Sequence, residues 1–182
     1  GTVDSLTGLH NRKTFDDVLK RLIENNDPFG LILMDIDHFK SINDQHGHLI
    51  GDRVLRQLAK VLSSRTRATD TVTRYGGEEF AILLPNTELS DTQFVAEKLR
   101  TSIGSLNMRR TDNGARIGTV TASFGVAEWC RSETTYELMA RTDKALYEAK
   151  NNGRNCIALA QRPGPDQEPQ VPDEYCQKAS PA

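Results

Sequence analysis

The sequence predicts an α/β domain, with helices packed on a central mixed sheet, and three observations lead there. Apolar residues recur at helical spacing in four separate segments, short apolar runs alternate with those segments, and glycine-bearing turns join some of the runs into hairpins.

Taken in order, Phe15, Val18, Leu19, Leu22 and Ile23 fall at i, i+3, i+4, i+7 and i+8, which makes an amphipathic helix. Asn25-Asn26-Asp27-Pro28 follows it. The next run, Leu31-Ile32-Leu33-Met34, is uniformly apolar, as a strand covered on both faces requires. Val54, Leu55, Leu58, Val61 and Leu62 mark a second helix. Thr71 to Arg74 and Phe80 to Leu84 flank Gly76-Gly77, and two glycines tolerate the positive φ of a tight primed turn. Val95, Leu99 and Ile103 mark a third helix. A second hairpin is expected to turn at Asp112-Asn113-Gly114 and to continue through Ile117 to Val126. Helical sequence from Thr135 to Asn152 stops at Gly153, a fitting C-terminal cap, and Cys156 to Leu159 is a last short strand. The order helix–strand–helix–hairpin–helix–hairpin–helix–strand implies a mixed sheet carrying helices.

Composition sets the outer limits. From Arg162 onward the chain holds five of its seven prolines and few apolar residues, so 1–161 reads as the folded domain and 162–182 as a disordered Pro-rich tail. A formal net charge of -2 gives no global attraction to nucleic acid or membrane, so any polyanion must be held by a local site. Three widely spaced cysteines without a C-x-x-C pair argue against a disulfide framework or zinc site and favour a reducing compartment. No apolar run approaches the ~20 residues of a membrane span. The chain reads as a soluble piece, cut from a longer protein.

Acidic residues cluster at two places. Asp35 and Asp37 follow the buried strand and, two apart, are expected to share a face at its end. Glu78-Glu79 follows the Gly76-Gly77 turn, and neighbours on a strand face opposite sides, so one glutamate is expected to meet Asp35 and the other to serve elsewhere. Two carboxylates from adjacent strands suit Mg²⁺, which prefers hard oxygen ligands and keeps substrate phosphates in its shell. The plainer alternative is that strand-end acids are simply solvated. His46 and His48 lack a metal-ligand frame and read as part of a turn; Tyr147 reads as packing on the apolar face of its helix.

Five ordered landmarks resemble one family. Tyr75-Gly76-Gly77-Glu78-Glu79-Phe80 is similar to the signature of the GGDEF family, the diguanylate cyclases, in its GGEEF form. Asp4-Ser5-Leu6-Thr7-Gly8-Leu9-His10-Asn11-Arg12 resembles the family's N-terminal segment. Asp35-Ile36-Asp37-His38-Phe39-Lys40, with Asn43-Asp44, Gly47-His48 and Gly51-Asp52, resembles its central block. Ser123-Phe124-Gly125-Val126, and Ala145 to Lys150 with Gly153-Arg154-Asn155, resemble its C-terminal motifs.

The resemblance implies a mainly antiparallel palm-like sheet, as in adenylyl cyclases and polymerases. It implies a reaction in which two GTP molecules condense to cyclic di-GMP, each 3′-hydroxyl attacking the other's α-phosphate and expelling pyrophosphate. Asp35, Glu78 and the carbonyl of Ile36 would then bind two divalent ions, Mg²⁺ or Mn²⁺, and Glu79 would act as base or as a further ligand. Lys40, Lys150 and Arg154, with backbone N–H groups near His38 and Phe39, would hold the β- and γ-phosphates. Asn43 and Asp52 would select guanine, since a carboxylate accepts from guanine N1–H and N2–H. Arg67 and Asp70 match an inhibitory site for cyclic di-GMP, with Lys98 as its third member, where the lack of a bidentate fork predicts weaker inhibition. Further implications are a homodimer for catalysis, an N-terminal sensory region outside this chain, and a bacterial cytoplasmic setting, compatible with an inner-membrane anchor elsewhere in the full-length protein. The alternative is a catalytically inactive GTP or cyclic di-GMP binding module.

Overall fold

The structure, a computed structural model, describes residues 1–110 and 112–163. The expected tail lies outside the described residues from 164 onward, as does Cys176. The elements follow in the order α1 (Arg12–Glu24), β1 (Phe29–Ile36), α2 (Phe39–His46), α3 (His48–Ser64), β2 (Thr71–Arg74), β3 (Glu79–Pro85), α4 (Leu89–Gly104), β4 (Ala122–Glu128), α5 (Thr135–Asn151) and β5 (Ile157–Leu159).

An apolar strand must be covered on both faces, and β1 is buried at every position. It is the central strand of a sheet ordered β2-β3-β1-β4-β5. The β1–β3, β1–β4 and β2–β3 pairs are antiparallel and β4–β5 is parallel, so the expected mixed, mainly antiparallel sheet is what the chain forms. Alternation along β1 splits the core. Ile32, Met34 and Ile36 join Phe80, Ile82, Phe124 and Val126 beneath Val54, Leu58 and Leu62 of α3 and Leu99 and Ile103 of α4. Leu31 and Leu33 face the other way, with Leu83 and Ala127, to meet Phe15 and Leu19 of α1 and Leu138 and Leu146 of α5.

The helix ends follow local chemistry. Asn11 caps α1 by accepting from the Thr14 N–H, and Thr134 with Glu137 forms a capping box at α5. Gly153, at φ 105°, ends α5 in the left-handed conformation expected of a C-terminal glycine.

Several expectations are corrected. Helix α2 has no counterpart in the periodicity, because its eight residues bury a single side chain, Phe39. The second expected hairpin is reduced to a small ribbon: Arg109 and Arg116 form an isolated bridge around the 112–114 turn, and the strand begins only at Ala122. Gly118, at φ 100°, breaks the extended run between them. Gly76 and Gly77 are not in the positive-φ region, so their turn is not a primed one. Instead the N–H groups of Tyr75 and Gly76 both donate to the Glu79 carbonyl, at 2.8 and 3.1 Å. Tyr147 is exposed rather than packed. Cys156 is a free thiol.

At Gly125 in β4 the backbone of α5 packs directly on the sheet. A Cβ there would lie 2.5 Å from the Thr142 carbonyl oxygen and 2.6 Å from the Leu146 nitrogen, both backbone atoms of α5. Gly125→Ala is therefore expected to destabilise the domain by about 1–3 kcal/mol, as overpacking does, and to lower the melting temperature measured by circular dichroism.

Candidate active site

Register brings the acidic residues together. Asp35, near the end of β1, pairs with Glu79 on β3 and with Ser123 on β4. The Ile36 N–H donates to the Glu78 carbonyl at 3.3 Å, so the two acidic segments are stitched by backbone. Asp35 is buried and its Oδ2 is ion-paired with Lys150 Nζ from the last turn of α5. Its Oδ1 is shielded from solvent and has no hydrogen-bond partner among the described residues.

Both glutamates respond to this crowding. Burial, then the Asp35 charge, pushes the Glu78 and Glu79 carboxyls above the ordinary glutamate value, while Lys150 draws both down.

Asp37 departs from its expected partnership with Asp35. It lies one residue beyond β1 and accepts from Thr121 Oγ1 at 2.7 Å, Ser123 Oγ at 2.6 Å and the Asn155 N–H at 2.9 Å. These bonds fasten the 153–155 loop, whose three residues all have positive φ (105°, 62° and 47°), beside the strand end. Arg154 stands exposed on that loop, between the end of α5 and β5.

His38, at φ 54°, turns the chain into α2, so Phe39 and Lys40 stand in its first turn, where backbone N–H groups are free of helical partners. Asn43, also on α2, rests against Gly51 of α3: a Cβ at Gly51 would lie 1.8 Å from Asn43 Oδ1. That Oδ1 is buried and unpaired, and Asp52 follows Gly51 on the same helix.

The Gly76-Gly77 turn has supports that the motif reading did not single out. Arg74 donates through Nε and Nη2 to the Gly77 carbonyl at 3.2 and 2.8 Å, and pairs through Nη1 with Asp4 at 3.3 Å. Arg12 lies 4.4 Å over the ring of Tyr75, which also meets Phe15 edge-on. Asp4 and Arg12 belong to the N-terminal motif and Arg74 directly precedes Tyr75, but pairing across 70 residues has no local signal.

A third group lies apart. Arg67 closes on Asp70 (Nη2 to Oδ1, 2.8 Å) and also donates to the Pro85 carbonyl and Thr87 Oγ1. Lys98, on α4, is placed with its ammonium 5.9 Å from the Phe94 ring centre and does not join the Arg67 hydrogen bonds among the described residues.

The donor set fits a hard divalent cation. Asp35 Oδ1 has unfilled lone pairs beside two further carboxylates, and oxygen ligands are what Mg²⁺ and Mn²⁺ take. Among the described residues no three His, Cys, Asp or Glu side chains form a metal cage. An ion held by one or two carboxylates and completed by water and phosphate oxygens needs none.

The family described as "Diguanylate cyclase, GGDEF domain" matches residues 1–156. The chain belongs to the GGDEF domain family. This GGDEF domain is 46% identical over 154 residues to diguanylate cyclase VdcA of Vibrio cholerae, covering 85% of the chain and 45% of that protein. It is 42% identical to response regulator PleD of Caulobacter vibrioides, covering 85% and 35% respectively. The chain thus spans less than half the length of these relatives. The solved GGDEF domain of DgcB from Caulobacter crescentus, in complex with c-di-GMP, superimposes with a TM-score of 0.85 at 38% identity, over 88% of this chain and 96% of that one. No helix among the described residues is long and apolar enough to cross a membrane.

The raised glutamates carry a pH prediction for the metal-free domain. A carboxyl whose folded pKa is raised above its ordinary value of 4.5 contributes stability that is fully present below that value and lost as pH rises through the folded one. Glu79→Gln is therefore expected to raise the melting temperature at neutral pH. Its advantage over wild type should shrink as pH falls through the raised value towards 4.5, which melts taken across pH would show.

Proposed function

We propose that this GGDEF domain is a diguanylate cyclase, condensing two GTP molecules into cyclic di-GMP and two pyrophosphates. The observation that carries the reading is the Asp35–Glu78–Glu79 cluster, with its unfilled Asp35 oxygen, set against Lys150 and the α2 N-terminus. Acidic ligands and phosphate-binding groups must adjoin for a metal-dependent nucleotidyl transfer, and here they meet at one strand end.

Asp35 and Glu78, with the Ile36 carbonyl, would hold divalent cations, Mg²⁺ or Mn²⁺, two per site as in two-metal phosphoryl transfer. Bound there, such ions supply neutralisation of charge on the transferring phosphoryl group. Lys40, Lys150 and Arg154, with N–H groups at His38 and Phe39, hold the β- and γ-phosphates. A helix N-terminus and cationic side chains favour an anion in the same position. Asn43 and Asp52 select guanine; the unpaired Asn43 Oδ1 is an acceptor awaiting a donor, and guanine offers N1–H and N2–H. Glu79 takes the proton of the attacking 3′-hydroxyl. Its raised pKa makes it the stronger base, and Arg74 and Tyr75 hold the turn that presents it.

One such site binds one GTP, whereas the product joins two equivalent nucleotides. Two domains must therefore face each other, most simply as a C2 homodimer. Arg67 and Asp70 form the inhibitory site for cyclic di-GMP, and the c-di-GMP complex of the DgcB domain supports a ligand of that class. Lys98, set apart on α4, would have to swing in to join them.

Purified chain with GTP and Mg²⁺ is expected to release cyclic di-GMP, with a rate per protein that rises with protein concentration. Glu79→Ala should lose at least about 100-fold in rate, the usual scale for removal of a general base. Full turnover by that variant, or GTP binding without product at high protein concentration, would sink the assignment in favour of a binding module. Added cyclic di-GMP is expected to slow the wild type. Arg67→Ala should need at least about tenfold more for half-inhibition, as expected for lost charged hydrogen bonds of about 1.5–3 kcal/mol.

A further inference from the structure

The ammonium of Lys150 stands where a metal ligand should be free. Asp35 is buried, and its two oxygens have different fates: Oδ2 is ion-paired with Lys150 Nζ, while Oδ1 has no partner. Lys150 reaches Asp35 from the last turn of α5. Its side chain is 32% exposed against 8% for Asp35, so it can leave towards solvent without disturbing the strand.

A divalent cation bound to Asp35 would sit about 2.0–2.1 Å from a carboxylate oxygen for Mg²⁺. An ammonium paired with the same carboxylate would then face it at close range, and like charges at that distance repel strongly in a partly buried site. We propose that Lys150 is a resident cation for the nucleotide-free site, holding Asp35 until a triphosphate draws it away. Metal alone then binds weakly, because it must displace Lys150 with nothing to receive it. Nucleotide supplies the receiving anion, so metal and nucleotide bind together and each strengthens the other. The same lysine thereby keeps the carboxylates neutralised when the site is empty and grips phosphate when it is full. This rests on the assignment of Asp35 and Glu78 as metal-binding and of Lys150 as phosphate-binding.

The test is Mn²⁺ binding to the full chain without nucleotide, read by electron paramagnetic resonance of the free ion. Lys150→Met is expected to bind Mn²⁺ about tenfold or more tightly than wild type, a change of about 1.4 kcal/mol per tenfold. The same variant should bind a non-reacting GTP analogue, with a methylene bridge between the α- and β-phosphorus, more weakly. Opposite signs for the two ligands are the signature; simple damage to the site would weaken both. Lys150→Arg keeps the cation and should leave Mn²⁺ binding near wild type, and Lys150→Gln repeats the charge removal with a different side chain. Thermal melts confirm that each variant is folded. If Asp35→Asn abolishes Mn²⁺ binding but neither neutral Lys150 variant binds it more tightly than wild type, the resident-cation proposal is overturned while the metal assignment stands. If Asp35→Asn leaves Mn²⁺ binding unchanged in wild type and Lys150→Met alike, the metal assignment fails and the proposal with it.

Discussion

Asp37 accepts hydrogen bonds from Thr121, Ser123 and Asn155, and these three bonds tie the segments that build the site to one another. Two donors come from the segment entering β4 and from β4 itself, and one from the loop after α5. The carboxylate thus ties the central strand's exit to both chain segments that flank it. The 153–155 loop, held in three consecutive positive-φ conformations, is fastened by that tie together with Arg100, which donates to the Asn155 side chain.

The acidic cluster illustrates a conflict between stability and chemistry. Burial and the charge of Asp35 raise the pKa of Glu78 and Glu79, which weakens the folded state at neutral pH. Nothing in the hydrophobic core requires them. Lys150 and Arg12 offset part of the repulsion on Glu79, and Arg74 restrains the turn backbone through the Gly77 carbonyl. A cation beside these carboxylates offsets their repulsion, as the Lys150 ammonium does here.

Legibility in the sequence followed the range of the interaction. The continuous apolar run of β1, the heptad-like spacing in α1 and α3, and the Gly153 cap are local signals, and each appeared where expected. Helix α2 was silent because eight residues with one buried side chain have no period to read. The Gly76-Gly77 pair marked a turn correctly but not its kind. Gly76 matters there because a Cβ would come within 3.1 Å of Glu79 Oε2, a contact visible only once the strands are paired. Tyr147 satisfied a helical spacing yet points to solvent, since periodicity marks a stripe without saying how wide the covering surface is.

The sequence by itself determined the family, the alternation of helices with strands, and the residues eligible for chemistry, because ordered motifs and apolar periods are written in neighbouring positions. Tertiary structure decided which of those residues meet. It set Asp35 among both glutamates, gave Asp37 to Thr121, Ser123 and Asn155, and left Lys98 outside the Arg67 cluster. It also placed Lys150 on Asp35, across 115 residues of chain. These outcomes depend on strand register and on the height at which α5 crosses the sheet. Both are settled by packing of the whole core, and no short stretch of sequence encodes them.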